Sequence, residues 1–230
     1  MSGAPDNPFD LLRLPDVQWQ EGLDPVRAAI AAFDPEHPEP LGALLNAEDP
    51  LITRRALSVF GSVGKKGFVV LDAALALAGH RDMLARSKLL DGVLSYPRRL
   101  NPTQAHIVLQ LGVDAEDIVR EKVVAFISLA KLETLEHAIA LFSGSLRDEH
   151  EEGLRLLKEE HEDIQRIFDV AIATNTLHSI YGLAALERMA RKGLVDRFPS
   201  YSGGSYLGAS VLANMQRLHK LHRKTGSSAS

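Results

Sequence analysis

Three segments of the chain, ITRRALSVF from residue 52, LARSKLLDG from 84 and IVREKVVAF from 118, share one pattern: an arginine followed three positions later by an aliphatic residue. Arg54, Arg86 and Arg120 stand 32 and 34 residues apart, and Leu57, Leu89 and Val123 follow them. A weaker fourth copy, HEEGLRLLK from 150, has Glu151 in the arginine's place and Leu154 after it. A helical unit that returns every ~30 to 45 residues cannot bury its apolar face alone, so its neighbours must supply the missing surface. That recurrence constrains the fold more than any other feature of the chain.

Helix starts are written locally. A capping residue stands directly before proline at Asp24-Pro25, Asp49-Pro50 and Asn101-Pro102, and the missing N–H of proline costs nothing at the first helical position. Asn101 with Gln104, Asp114 with Asp117 and Ser145 with Asp148 add the spacing of a capping box. Strand signals are scarce. FVVL at 68–71 is the best β-branched run, and the alanine-rich and leucine-rich stretch after it favours helix. The pattern predicts helices near 24–33, 50–61, 66–79, 82–95, 102–111, 115–130, 132–143, 146–158, 161–174, 176–192 and 205–222.

The chain resembles the HEAT-repeat family, in which an acidic or proline-bearing turn precedes an aliphatic-x-x-Arg helix. The matching positions are Asp49-Pro50 with Arg54, Asp82 with Arg86, and Asp117 with Arg120, and the resemblance covers about residues 49–145. The spacing from Asp to Arg slides from five to four to three along the chain. The resemblance implies an all-α fold: a HEAT-like right-handed α-solenoid of about five antiparallel helix pairs. The expected organisation is an acidic N-terminal arm over 1–48 with one or two short helices, a repeat array over 49–198, and a Gly/Ser loop with a basic capping helix over 199–224. A disordered tail is expected over 225–230.

Charge is distributed unevenly along the chain. The formal net charge is −4, too small to drive binding to nucleic acid or anionic lipid by itself. Residues 1–50 nevertheless hold ten acids and two bases, 51–100 three acids and nine bases, and 201–230 four bases and no acid. The absence of cysteine excludes disulfides, thiolate zinc sites, iron–sulfur clusters and a cysteine nucleophile, and fits a reducing compartment. No basic start followed by an apolar core opens the chain, and the longest uncharged runs are too short and polar for a bilayer, so a cytoplasmic location is expected.

Motifs that would carry chemistry are incomplete. GSVGKK has part of a phosphate-binding loop, but Val59 occupies the first glycine position and Lys66 the Ser/Thr position that magnesium needs. Ser62 with Lys65, and Lys224-Thr225-Gly226, match two motifs of penicillin-recognising enzymes without the third. His150-Glu151 and His161-Glu162 begin zincin-like pairs whose fifth positions are Leu154 and Gln165. Glu133 with His137 and His219 with His222 share helix faces but lack a third ligand. The acidic run from Arg147 to Arg166 reads as a solvated helix face, with Leu154, Leu157, Ile164, Ile167 and Phe168 at core spacing. No metal, cofactor or catalytic residue is therefore expected, although an enzyme with residues dispersed over several repeats stays open.

The basic residues between 54 and 99 are the main functional candidates. Arg54, Arg55, Lys65, Lys66, Arg86, Lys88, Arg98 and Arg99 would form a stripe once per unit along a repeat surface. The expected function is non-catalytic protein binding, as an adaptor or an immunity-type neutralising protein whose partner has an acidic surface. Two alternatives stand beside it. The acidic arm would mask the basic units, or the stripe would follow nucleic-acid phosphates, as in helical-repeat DNA glycosylases, which would also need aromatic residues and a placed acid. The C-terminal helix, with Arg217, Lys220 and Lys224, reads as a cap on the last repeat, with docking on a membrane or partner as the other reading.

Overall fold

A computed structural model describes residues 7–14, 24–159, 163–173 and 177–194. The described residues are helical and contain no strand. The expected loop and capping helix over 199–224 and the tail over 225–230 lie outside them. The chain forms two compact units, Met1–Tyr96 and Pro97–Ser230.

The first unit opens with a 3-10 turn, Pro8–Arg13, followed by α1 (Pro25–Ala32), α2 (Glu39–Leu45), α3 (Pro50–Ser62), a second 3-10 segment (Gly64–Val70), α4 (Leu71–Leu75) and α5 (Met83–Val93). The Asp24, Asp49 and Asp82 carboxylates accept backbone N–H groups of the first turns of α1, α3 and α5, each cap worth about 1 kcal/mol. The central helix is α3, which packs on α1, α2 and α5. Its Leu57, Val59 and Phe60 are fully buried, with Leu12, Leu41, Leu44, Leu45, Leu89 and Leu90 in the same core. Helices α3 and α5 run parallel. Arg54, near the start of α3, lies 3.8 Å from Asp82 at the cap of α5, and Phe60 near its end touches Gly92 near the end of α5. The helix expected over 66–79 is much shorter: Gly64–Val70 is 3-10 and only Leu71–Leu75 is α-helical. Two glycines and the β-branched pair Val69-Val70 weaken the first turns, and Gly64 takes a positive φ of 58°.

The second unit contains α6 (Pro102–Gln110), a 3-10 turn (Leu111–Val113), α7 (Asp117–Leu129), α8 (Leu132–Ile139), α9 (Gly144–Lys158), α10 (Ile164–Ile172) and α11 (Leu177–Arg191). Asn101 and Gln104 complete a reciprocal capping box at α6, as their spacing predicts. The other two boxes are absent, since α7 is preceded by Glu116 and α9 by Ser143, neither of which makes a side-chain cap. Helix α11 is the core of this unit. It is buried from Ser179 through Glu187 on every side, as befits a run with so few charges, and packs on α7, α9 and α10. It runs parallel to α7: Leu177 and Ile180 adjoin Gly112 just before α7, while Arg188 reaches the Ala130 carbonyl just after it at 3.4 Å.

Candidate functional site

The eight basic residues singled out from the sequence have different environments. Lys65 and Lys66 are exposed on the 3-10 segment after α3 and have no ion-pair partner among the described residues. Val69, one turn further, is 53% exposed. Arg54 is half-buried and faces Asp82, and Lys88 lies 3.4 Å from Asp91 on its own helix. Arg86 donates to the His80 carbonyl at 2.7 Å and the Arg81 carbonyl at 3.2 Å. Arg81, exposed beside it, leads into Met83 and Leu84, which are exposed at the start of α5. Arg98 and Arg99 are exposed but belong to the second unit, where Arg98 donates to the Leu129 carbonyl at 3.2 Å.

Arg55 departs from the expected stripe. It is 5% exposed and points away from solvent, with Nη1 donating to the carbonyls of Leu12 at 2.7 Å and Leu14 at 2.6 Å. Arg54 and Arg55 are adjacent in sequence, yet the helix turns them about 100° apart, so only one of them can serve a surface. The N-terminal turn therefore does fold against the basic helix, and it does so through backbone carbonyls. Asp10 and Asp24, acids of the arm, pair locally with Arg13 and Arg27.

Two of the three arginines in repeat register act on the backbone before their own helices. Arg86 donates to the carbonyl six residues earlier, at His80, and Arg120 to the carbonyl six residues earlier, at Asp114. Arg120 also binds the Asp117 carboxylate. In both units the guanidinium ties the preceding turn to the first two turns of the helix, which is a structural role. Arg54 instead bridges from α3 to the cap of α5.

A buried polar cluster in the second unit escaped the sequence reading. His150 of α9 is 1% exposed, and its Nδ1 lies 2.8 Å from the Tyr181 hydroxyl of α11. Its ring stacks on Phe142 at 4.2 Å between centroids, and Phe142 in turn meets His106 of α6 at 4.1 Å. His106 is held by the Ala138 carbonyl and Gln110. The Tyr181 ring lies so close to α9 that a Cβ at Gly153 would sit 2.3 Å from its Cδ2. Burial, reinforced by the positive charge His106 would carry, lowers the His150 pKa to about 4, and burial raises that of the Tyr181 hydroxyl. Both groups are neutral at pH 7. No local sequence signal marks the cluster, because His150 and Tyr181 stand 31 residues apart on separate helices, and His150-Glu151 carries only the incomplete zincin spacing.

Elsewhere in this unit an open groove of about 320 Å³ lies between α9, α10 and α11, lined by Leu156, Val170, Ala173 and His178. Arg166 at its edge lies within 3.8 Å of Glu152 and 3.5 Å of Glu159. Its charges therefore face one another. Among the described residues no group of three His, Asp or Glu side chains converges as metal ligands, and no helix is long and apolar enough to cross a membrane. The sequence matches no protein-family model and no curated protein, and the fold matches no solved structure.

Proposed function

We propose that the protein is a non-catalytic protein-binding module, an adaptor or an immunity-type neutralising protein, that receives an acidic partner on the first unit. The observation that carries this reading is the exposed Lys65-Lys66 pair, which has no ion-pair partner among the described residues and has the exposed Val69 one turn away. Unpaired cations beside an apolar side chain offer steering charge and a desolvated anchor together. Arg81 is exposed on the same unit, whereas Arg54 and Lys88 face Asp82 and Asp91 and Arg55 has a structural role. The helix pairs from residue 49 onward are read as HEAT-like repeat units, supported by parallel α3 and α5 and by the common use of Arg86 and Arg120.

The test compares the wild-type chain with Lys65→Glu/Lys66→Glu in pull-downs from the protein's own cell lysate, after nuclease treatment and across a salt series. A stoichiometric protein held by the wild type and lost by the double variant is the expected result. Equal retention by both chains removes these lysines from the surface. Recovery of nucleic acid that disappears with salt replaces the protein partner by a phosphate backbone.

A further inference from the structure

We infer that the second unit carries an acid-operated release between α9 and α11, in which a proton taken up by His150 drives its ring out of the cluster and parts the two helices. The argument begins with hydrogen-bond inventory. A neutral imidazole has one donor and one acceptor nitrogen, and Tyr181 has a single hydroxyl proton. If the hydroxyl donates to Nδ1, one group is left over, the Nε2 proton. If Nδ1 donates instead, both Nε2 and the hydroxyl proton are left over. The first arrangement is favoured because it leaves a single unsatisfied group, at the buried and unpartnered Nε2, where the second leaves two. A second proton on the ring would arrive at Nδ1. There it turns the acceptor of the Tyr181 hydrogen bond into a donor and places a full charge where Nε2–H has nothing to bind.

No compensating anion faces the ring. From α11 it meets Tyr181, and from α6, across Phe142, it meets His106. On α8, which also packs on α9, Glu136 is tied to Lys158, and Glu133 and His137 are exposed. On α9 itself Arg147 and Glu151 pair with each other, and on α11 Glu187 is held by Arg191. Phe142 offers a cation–π face, but it also carries His106, so charge on one imidazole opposes charge on the other. Escape toward water is the remaining route for a protonated His150. Because the Tyr181 ring lies directly on α9 at Gly153, the imidazole cannot leave without moving α9 from α11.

The experiment follows the full chain from pH 7.5 to pH 4 by denaturant unfolding, by tyrosine near-UV circular dichroism and by hydrogen exchange, with His150→Gln as the non-titrating variant. Relative to the variant, the wild-type unfolding equilibrium constant is expected to rise on the order of 100-fold across this range, given the lowered His150 value. Protection in α9 and α11 should fall at pH 4.5 while α3 and α5 keep theirs. Equal pH dependence in the two chains overturns the inference, as does uniform loss of protection. If the variant does not fold, the wild-type histidine resonances decide. A His150 ring that stays neutral down to pH 5 and takes up its proton below it, together with a change in α9, supports the release, and a ring that titrates with α9 undisturbed overturns it.

Discussion

Phe60 lies over Gly92 so closely that a Cβ at position 92 would stand 2.1 Å from its Cε1. The two residues join α3 to α5 with the aromatic ring against bare backbone. In an unpacked helix, alanine would be the better residue than glycine by about 1 kcal/mol. Here the ring is fully buried and has no room to yield, so overpacking outweighs propensity. Gly92→Ala is expected to lower stability by about 1–3 kcal/mol in urea unfolding. The double change Phe60→Leu/Gly92→Ala should lose less than the two single changes added together.

Arg55 ties the N-terminal turn to α3 by two short hydrogen bonds from one nitrogen to the Leu12 and Leu14 carbonyls. Hydrogen bonds from charged groups contribute about 1.5–3 kcal/mol, and their loss takes this donor from the buried Leu12 carbonyl and the part-buried Leu14 carbonyl. Arg55→Ala should cost about 3 kcal/mol by thermal or chemical unfolding. It should also make residues 7–14 more susceptible to proteolysis in the folded protein. Arg54→Ala, which loses only a half-exposed ion pair, should cost less than about 1 kcal/mol.

What was legible in the sequence is what acts locally. Asp49-Pro50 and Asn101-Pro102 mark the starts of α3 and α6 because a cap and a missing N–H need no distant partner. The arginine register was legible too, and Arg86 and Arg120 use it in the same way. Tertiary surroundings decide the rest. Nothing in the pair Arg54-Arg55 says which side chain turns inward, since that depends on carbonyls some forty residues earlier in the chain. The same holds for His150, whose neighbours Phe142 and Tyr181 come from separate segments, and for Gly92 and Gly153, whose necessity appears only once an aromatic ring lies on them.

Lys65 and Lys66 should be indifferent to stability if their role lies in recognition. Both are exposed and unpaired among the described residues, so alanine at either position is expected to shift stability by no more than about 0.5 kcal/mol. Asn101→Ala is the contrasting surface change. It removes the acceptor of the Gln104 N–H and one half of a reciprocal cap, and should cost about 1 kcal/mol. Parallel melting curves of the three single variants distinguish surface charge from surface structure.

The pair His150 and Tyr181 gives a prediction whose sign can be worked through. Tyr181→Phe keeps the ring on Gly153 but removes the 2.8 Å hydrogen bond, leaving a buried imidazole with neither nitrogen satisfied. The expected loss is about 1–3 kcal/mol, from the unsatisfied histidine more than from the bond itself. Replacing both residues, as His150→Leu/Tyr181→Phe, removes the polar groups together and should recover part of that loss. The pH dependence separates the variants further. The folded pKa of His150 is lowered to about 4 from the ordinary 6.5, so the unfolded chain takes the proton first as pH falls. Its contribution is therefore complete above pH 6.5 and declines down to pH 4. Tyr181→Phe should retain that decline because its histidine is still buried, whereas the double variant should lose the part that His150 supplies. Urea unfolding of both variants at pH 7.5 and pH 4.5 checks it.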